Sequence, residues 1–177
     1  NRPVERQGCF AELVLTPDKN IYELPEGLDI KKAPIAEPTA VSLHAVELGE
    51  EVLKKDLQNS RVLIIGGGAI GLLCALILEK YKKCNEVILV EPNENRLKVC
   101  SNHLESDTSK PDDKRISDNS FDIVFDTVGL EITRQNSIKA VNPGGVIVHI
   151  GLTQPSGTFD FRKATLQEIT FVGTYCY

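Results

Sequence analysis

Short blocks rich in branched and aromatic apolar residues, each with a single polar or charged member, recur along the chain at 61–65, 86–90, 121–125, 146–150 and 169–172. Blocks of this length without alternation read as strands buried on both faces, as in a parallel sheet. Between them the apolar residues take helical arrangements. Residues 72–78 are almost wholly apolar and predict a buried helix. Pro92 and Asn93 open a second helix carrying Leu97, Val99 and Cys100. Residues 131–141 form a third, stopped by Asn142-Pro143-Gly144-Gly145. Strands alternating with helical crossovers imply an α/β fold, a doubly wound parallel sheet with helices on both faces.

The pattern is weaker outside this core. Residues 9–15 and 21–24 have strand composition, the first broken by Pro17-Asp18 and the second closed by Pro25-Glu26-Gly27. Asp29 is placed to cap a short helix through Ala36, interrupted by Glu37-Pro38, and Val41, Ala45 and Leu48 predict another over 39–48. Residues 101–120 are polar and charged, with only Leu104 and Ile116 strongly apolar, and leave room for one short strand near His103-Leu104. Phe159-Asp160-Phe161 reads as extended.

Composition narrows the partners. A chain of 177 residues is one domain, or one with a small appendage. Its net charge of −5 and the lack of a Lys/Arg stripe argue against nucleic acid and anionic membranes. No apolar run approaches the roughly 18 residues of a membrane span, and no leader-like segment opens the chain. The five cysteines are scattered, with no C-x-x-C, and suit reduced thiols in a cytoplasmic protein. The opening Asn1-Arg2-Pro3 has no Met, so the chain reads as beginning inside a larger protein.

The strand at 61–65 runs into Gly66-x-Gly68-x-x-Gly71 and then into the apolar helix. In such a unit Gly66 makes the turn, Gly68 lets a pyrophosphate approach the backbone, and Gly71 lets helix and strand pack closely. The helix N-terminus then faces the phosphates. The next strand ends in Glu91, twenty residues past Gly71, where a carboxylate can accept hydrogen bonds from ribose hydroxyls. That carboxylate favours NAD, because it would repel the 2′-phosphate of NADP. Arg96 argues the other way, since an arginine can receive that phosphate. The competing reading is a glycine-rich turn in another doubly wound domain. Thr127 and Val128, and Ile150, Gly151 and Leu152, fall at the carboxyl ends of two strands, where open α/β sheets bind ligands. His44 reads as a packed histidine on a core-facing helix, His149 as a hydrogen-bonded core residue of a buried strand, Cys74 and Cys84 as packing residues, and no His/Cys set has metal-ligand spacing.

Taken in order, Gly8-Cys9-Phe10-Ala11-Glu12, Leu24-Pro25-Glu26-Gly27, Glu37-Pro38-Thr39-Ala40-Val41-Ser42-Leu43-His44-Ala45, the glycine loop, Val90-Glu91-Pro92-Asn93, Phe125-Asp126-Thr127-Val128-Gly129, Asn142-Pro143-Gly144-Gly145 and Gly173-Thr174-Tyr175 carry a further signal. This ordered set resembles the medium-chain, zinc-dependent alcohol dehydrogenases, and most of all their sorbitol and threonine dehydrogenase branch. The resemblance implies that 1–48 is the tail of a GroES-like catalytic domain with connecting helices, and that 49–177 is an NAD-binding Rossmann domain. It implies cofactor contacts from Gly66, Gly68, Ala69, Ile70, Gly71, Glu91, Arg96, Thr127 and Val128. Ile150, Gly151 and Leu152 would lie at the nicotinamide, with backbone near Thr174 and Cys176 bonding its carboxamide. It implies that Glu37 stands at a catalytic Zn²⁺ whose Cys and His-Glu ligands lie outside this chain. The bland alternative for Glu37 is a cap on the helix after Pro38. The family usually has a third strand and a full helix before the strand at 121, and 101–120 is too short and too polar for both. A homodimer or homotetramer through the sheet edge at 159–161 and 169–172 is also implied.

The expected function is NAD-dependent, zinc-assisted oxidation of a secondary alcohol: a polyol, sugar alcohol or amino-acid alcohol. The isolated chain is expected to be inactive, with no catalytic residue of its own. The alternatives are a zinc-free NADPH quinone or enoyl reductase of the same superfamily, a non-catalytic nucleotide-binding regulatory module, and a methyltransferase.

Overall fold

The computed structural model describes residues 8–176, and the chain divides between Pro34 and Ile35 into two compact units. The first unit holds no strand among its described residues. The stretches 9–15 and 21–24 are irregular, and the helix expected from Asp29 is reduced to a 3-10 turn at Ala33–Ile35, with another at Asp18–Asn20. A short ribbon needs a sheet or apolar face to pack on, and Phe10, Leu13 and Tyr22 stand exposed.

The second unit contains helices α1 (Ala36–Leu53), α2 (Ala69–Leu76), α3 (Glu94–His103), α4 (Glu131–Ala140) and α5 (Phe161–Leu166). Its strands are β1 (Arg61–Ile65), β2 (Glu86–Val90), β3 (Asp107–Ser109), β4 (Phe121–Asp126), β5 (Val141–His149) and β6 (Thr170–Gly173). The strands form one sheet in the order β3-β2-β1-β4-β5-β6, every neighbouring pair parallel. This is the doubly wound order expected from the sequence.

Period-two alternation along each strand splits the core into two layers. Val62 and Ile64 of β1, Leu89, Ile123, Phe125 and Val148 pack under α1, α2 and α3 through Ala45, Val46, Cys74, Ala75 and Cys100. Leu63 and Ile65, with Ile88, Val90, Phe121, Val124 and Ile147, face the other side, where α4 supplies Ile138 and Ala140 and α5 supplies Ala164. Burial pushes the Cys74 thiol up to about 12 and raises that of Cys84, as suits packing residues.

Several elements differ from the sequence expectations. Pro38 does not interrupt a helix; it sits in the first turn of α1, where its missing N–H costs nothing. The boundary drawn at 48/49 therefore falls inside α1, which belongs to the larger unit. Helix α3 runs through His103, started by the Asn93 side chain accepting the Arg96 N–H, and the short strand comes later, at 107–109. Strand β5 begins at Val141, ahead of the Pro-Gly-Gly stop, with its register to β4 shifting between Phe121 and Ile123. Residues 159–161 are not a strand, because Asp160 accepts the Lys163 N–H and starts α5. Residues 110–120, between β3 and β4, contain no helix, so this crossover is short, as read from the sequence. No helix among the described residues is long and apolar enough to cross a membrane.

Candidate functional site

Strand register gathers the candidate residues at one end of the sheet. Ile65 pairs with Val90 on one side and Asp126 on the other, so Gly66, Glu91 and Thr127 leave their strands side by side. The Gly66 N–H extends the ladder to the Val90 carbonyl at 2.9 Å. Gly71 packs against that turn so tightly that a Cβ there would lie 1.9 Å from the Gly66 carbonyl oxygen. A Cβ on Gly68 would meet no protein atom within 4 Å. The space in front of Gly68 is thus open, at the start of α2, whose first N–H groups have no partner within the helix. Ala69 is exposed and Ile70 half-buried on that first turn.

Glu91 is buried, at 3% exposure, with its carboxylate split between two backbone donors. Oε2 accepts the Gly67 N–H at 2.8 Å, and Oε1 accepts the Asn93 N–H at 2.8 Å. The Arg96 guanidinium lies 3.6 Å from Oε1 while itself well exposed. Each carboxylate oxygen can accept a second hydrogen bond. Glu91 therefore holds the glycine loop and keeps capacity for a ligand's hydroxyls.

Thr127 is also committed to the loop. Its hydroxyl donates to the Ile65 carbonyl at 2.9 Å and approaches the Gly66 carbonyl at 3.3 Å. Before it stands Asp126, fully buried at the end of β4. Its carboxylate accepts the Val128 and Gly129 N–H groups at 3.1 and 2.9 Å and faces His149 Nδ1 at 3.2 Å. Burial opposes ionisation there, but the His149 ring and the two N–H groups prevail and hold the carboxyl below its usual range. His149 is thus the hydrogen-bonded core histidine expected, tilted against Phe171. The Asp126 carbonyl in turn accepts the Ile150 and Gly151 N–H groups at 2.9 and 3.0 Å. Sequence reasoning named the Asp126-Thr127-Val128-Gly129 string but missed the part Asp126 plays. A carboxylate closing a buried strand, just before a glycine turn, was the available signal.

Beyond Gly151 the chain is exposed, and Leu152 is 76% exposed. Arg134, on α4, fastens this loop. Its guanidinium donates to the Gly129 carbonyl at 3.0 Å, to the Ser156 carbonyl at 3.2 Å and to the Gln154 carbonyl. Just after β6, the Thr174 N–H donates to the His149 carbonyl at 3.1 Å, while the Thr174 hydroxyl oxygen is buried without a partner. Cys176 follows in left-handed backbone, φ 57°.

A pocket of about 400 Å³ joins part of this set. Gly66, Glu91, Pro92, Arg96 and Val128 stand at it, together with Leu130, Ile132, Thr133 and Asn136 of the β4–α4 segment. Ile150, Gly151, Leu152, Thr174 and Cys176 lie at the ends of β5 and β6 and do not line it. Glu37 lies apart as well, exposed in the first turn of α1. Among the described residues no three His, Cys, Asp or Glu side chains group as metal ligands. The loop, the open approach at Gly68 and the buried acceptor Glu91 fit a dinucleotide. A zinc ion is not fitted by the described residues alone, since a zinc centre takes three or four protein ligands.

Comparison with known proteins agrees with this geometry. Residues 69–177 match the family model described as zinc-binding dehydrogenase. The chain is 25% identical over 182 residues to D-xylulose reductase A of Aspergillus oryzae, covering 96% of this chain and 49% of that protein. It is 25% identical over 180 residues to L-threonine 3-dehydrogenase of Legionella pneumophila, covering 97% and 51%. A solved protein of Sinorhizobium meliloti 1021, described as a zinc-binding dehydrogenase and bound to NADP, superposes with a TM-score of 0.78 at 25% identity, over 92% of this chain and 49% of that one. The chain thus spans about half the length of the curated relatives it matches.

Proposed function

Because the chain belongs to the zinc-binding dehydrogenase family, we propose that it binds NAD as the cofactor half of an oxidoreductase acting on secondary alcohols. The observation that carries this reading is Glu91, a buried carboxylate tied to the glycine loop at Gly67 and aimed at the same pocket. The open N-terminus of α2 and the bare face of Gly68 suit the pyrophosphate. Glu91 suits the adenosine ribose, accepting from its hydroxyls. A 2′-phosphate there would stand against a buried anion with no room for its own charge, which favours NAD. The S. meliloti neighbour holds NADP, and Arg96, 3.6 Å from Glu91, is a cation that could favour that choice here. Arg96 is exposed and Glu91 buried, so the carboxylate dominates.

When bound, the dinucleotide supplies hydride acceptance at its nicotinamide ring. The chain's own residues position it. Asp126 fixes the turns after β4 and β5 through four backbone N–H groups, two to its carboxylate and two to its carbonyl. Arg134 anchors the loop carrying Leu152, which with Ile150 would flank the nicotinamide. Thr174 and Cys176 would offer backbone groups to the carboxamide. Glu37 is the carboxylate this chain would bring to a zinc site completed by ligands from elsewhere in the protein. The substrate class, a polyol, sugar alcohol or amino-acid alcohol, follows from the sequence resemblance and from the names of the two relatives above.

Calorimetry with NAD and NADP tests this reading. Saturable NAD binding, at least about tenfold tighter than NADP, is expected. Absence of NAD binding, or tighter NADP binding, overturns it.

A further inference from the structure

The pocket that holds Glu91 is lined in large part by apolar side chains, Ile65, Val128 and Ile132 among them. Such walls suit the flat faces of a nucleobase, and a few placed polar groups must then fix which base it is. Most polar side chains at the pocket are already engaged or turned to solvent. Thr133 is buried, and its hydroxyl closes on Leu130, accepting the N–H at 2.9 Å and donating to the carbonyl at 2.9 Å. The Ser117 hydroxyl pairs with that of Ser120. Arg96 stands against Glu91, and Asp118 and Lys139 are exposed.

Asn136 differs from all of these. It lines the pocket, is half-buried, and makes no hydrogen bond among the described residues. It is the sixth of the ten residues of α4, so it caps neither end. Asn is a poor helix former in such a position, because its side chain competes for the backbone. Here it makes no backbone bond either, so the helix gains nothing from it. Its carboxamide offers one acceptor oxygen and an NH₂ donor without a protein partner.

An adenine edge is the complement of that pair. The exocyclic amine donates, a ring nitrogen near it accepts, and a single carboxamide meets both. Guanine offers two acceptors on the corresponding edge and would leave the amide oxygen unpaired. Resting on the dinucleotide reading above, we propose that Asn136 is the specificity-determining residue for the base, its carboxamide pairing with the adenine edge of the dinucleotide whose ribose Glu91 accepts. The adenosine is then divided between two elements: the end of β2 takes the sugar, and the middle of α4 reads the base.

The test is calorimetry with NAD and with its analogue carrying purine in place of adenine, a hydrogen standing where the amine was. Both are titrated into the wild-type chain, Asn136→Leu and Asn136→Asp, with circular dichroism melts to establish that each variant is folded. The wild type is expected to bind NAD about tenfold more tightly than the analogue, whose C–H leaves the amide oxygen unpaired. Leucine, similar in size and without polar atoms, is expected to bring that ratio to about one. Aspartate keeps an acceptor for the amine and is expected to keep most of the ratio, although both ligands bind more weakly. Equal binding of the two ligands by the wild type overturns the proposal and leaves the dinucleotide reading intact. So does a ratio unchanged in folded Asn136→Leu, or one lost in folded Asn136→Asp. Failure of both ligands to bind the wild type removes the dinucleotide reading, and this proposal with it.

Discussion

Glu91 and Gly67 are joined by a 2.8 Å hydrogen bond from the loop N–H to a buried carboxylate oxygen. The residue that would select the cofactor thus also shapes the loop that would hold it. Glu91→Gln places an amide group where two backbone donors point, and one of them must lose its acceptor. The variant should lose about 1–3 kcal/mol of stability and bind NAD at least about tenfold more weakly, read by thermal melts and calorimetry together. Undiminished NAD affinity in a folded Glu91→Gln variant would remove this carboxylate from the site.

Gly68 and Gly71 separate binding from folding. Alanine at 68 meets no protein atom, so Gly68→Ala should melt like the wild type yet bind NAD at least about tenfold more weakly, its methyl occupying the pyrophosphate approach. Alanine at 71 collides with the Gly66 carbonyl, so Gly71→Ala should lose about 3 kcal/mol or more. The reverse pattern would mean that the phosphates lie elsewhere.

Acid should loosen the turn between α3 and β3. Glu79 Oε2 accepts the Glu105 and Ser106 N–H groups at 2.9 and 2.8 Å and the Ser106 hydroxyl at 2.7 Å, with Lys80 2.7 Å from its other oxygen. Partial burial opposes the charge, but these partners prevail and bring the carboxyl down to about 2. Its folded pKa thus lies below the unfolded value of about 4.3. The stabilisation is present above that value and is lost as pH falls toward 2. Urea melts of wild type and Glu79→Gln should differ at pH 7, with the gap narrowing as pH falls below about 4 and closing only at about 2 and below. A gap independent of pH would count against this account.

Association through β6 is expected. This strand pairs with β5 on one side, lies last in the sheet order, and leaves Phe171 43% exposed. Unpaired backbone groups at such a margin invite a second copy. Sedimentation at high micromolar concentration should give a dimer for the wild type and a monomer for Phe171→Pro, which removes one outward-facing edge N–H. A wild-type monomer would end the proposal.

The 177-residue chain should bind NAD without zinc-stimulated NADH production from sorbitol or threonine. A catalytic zinc takes about three protein ligands, and the described residues offer no such group. Robust turnover in an absorbance assay, abolished by chelator, would show a metal centre misplaced by this account.

Local signals made the centre of the fold legible. The block at 61–65, the glycine spacing and Glu91 all lie within one strand-helix-strand unit, where pattern and geometry coincide. Long-range features were less visible. Arg134 gives no signal in the sequence, yet it spans to Gln154 and Ser156, twenty and more positions away. Helix α5 was hidden because the aromatics flanking Asp160 mimic strand alternation, while the decisive event is the Asp160 cap. The start of β5 was hidden because Pro143-Gly144-Gly145 reads as a stop, although a parallel strand with an irregular register can contain it. The shortness of 101–120 was plain from the sequence.

The Arg134 fork also sets a clock. Every side chain from Leu152 to Thr158 is exposed, so no buried surface holds this loop down. Its order rests on hydrogen bonds, two of them from the single Arg134 guanidinium to the Gln154 and Ser156 carbonyls and the rest to the segment 128–135. A segment held this way opens as a unit when its anchor lets go, at a rate set by local breakage rather than by unfolding of the sheet. Amide exchange across 152–158 should then be uniform and fast beside β4 and β5, and faster still in Arg134→Gln. The lifetime of that loop bounds how long anything seated against it can stay.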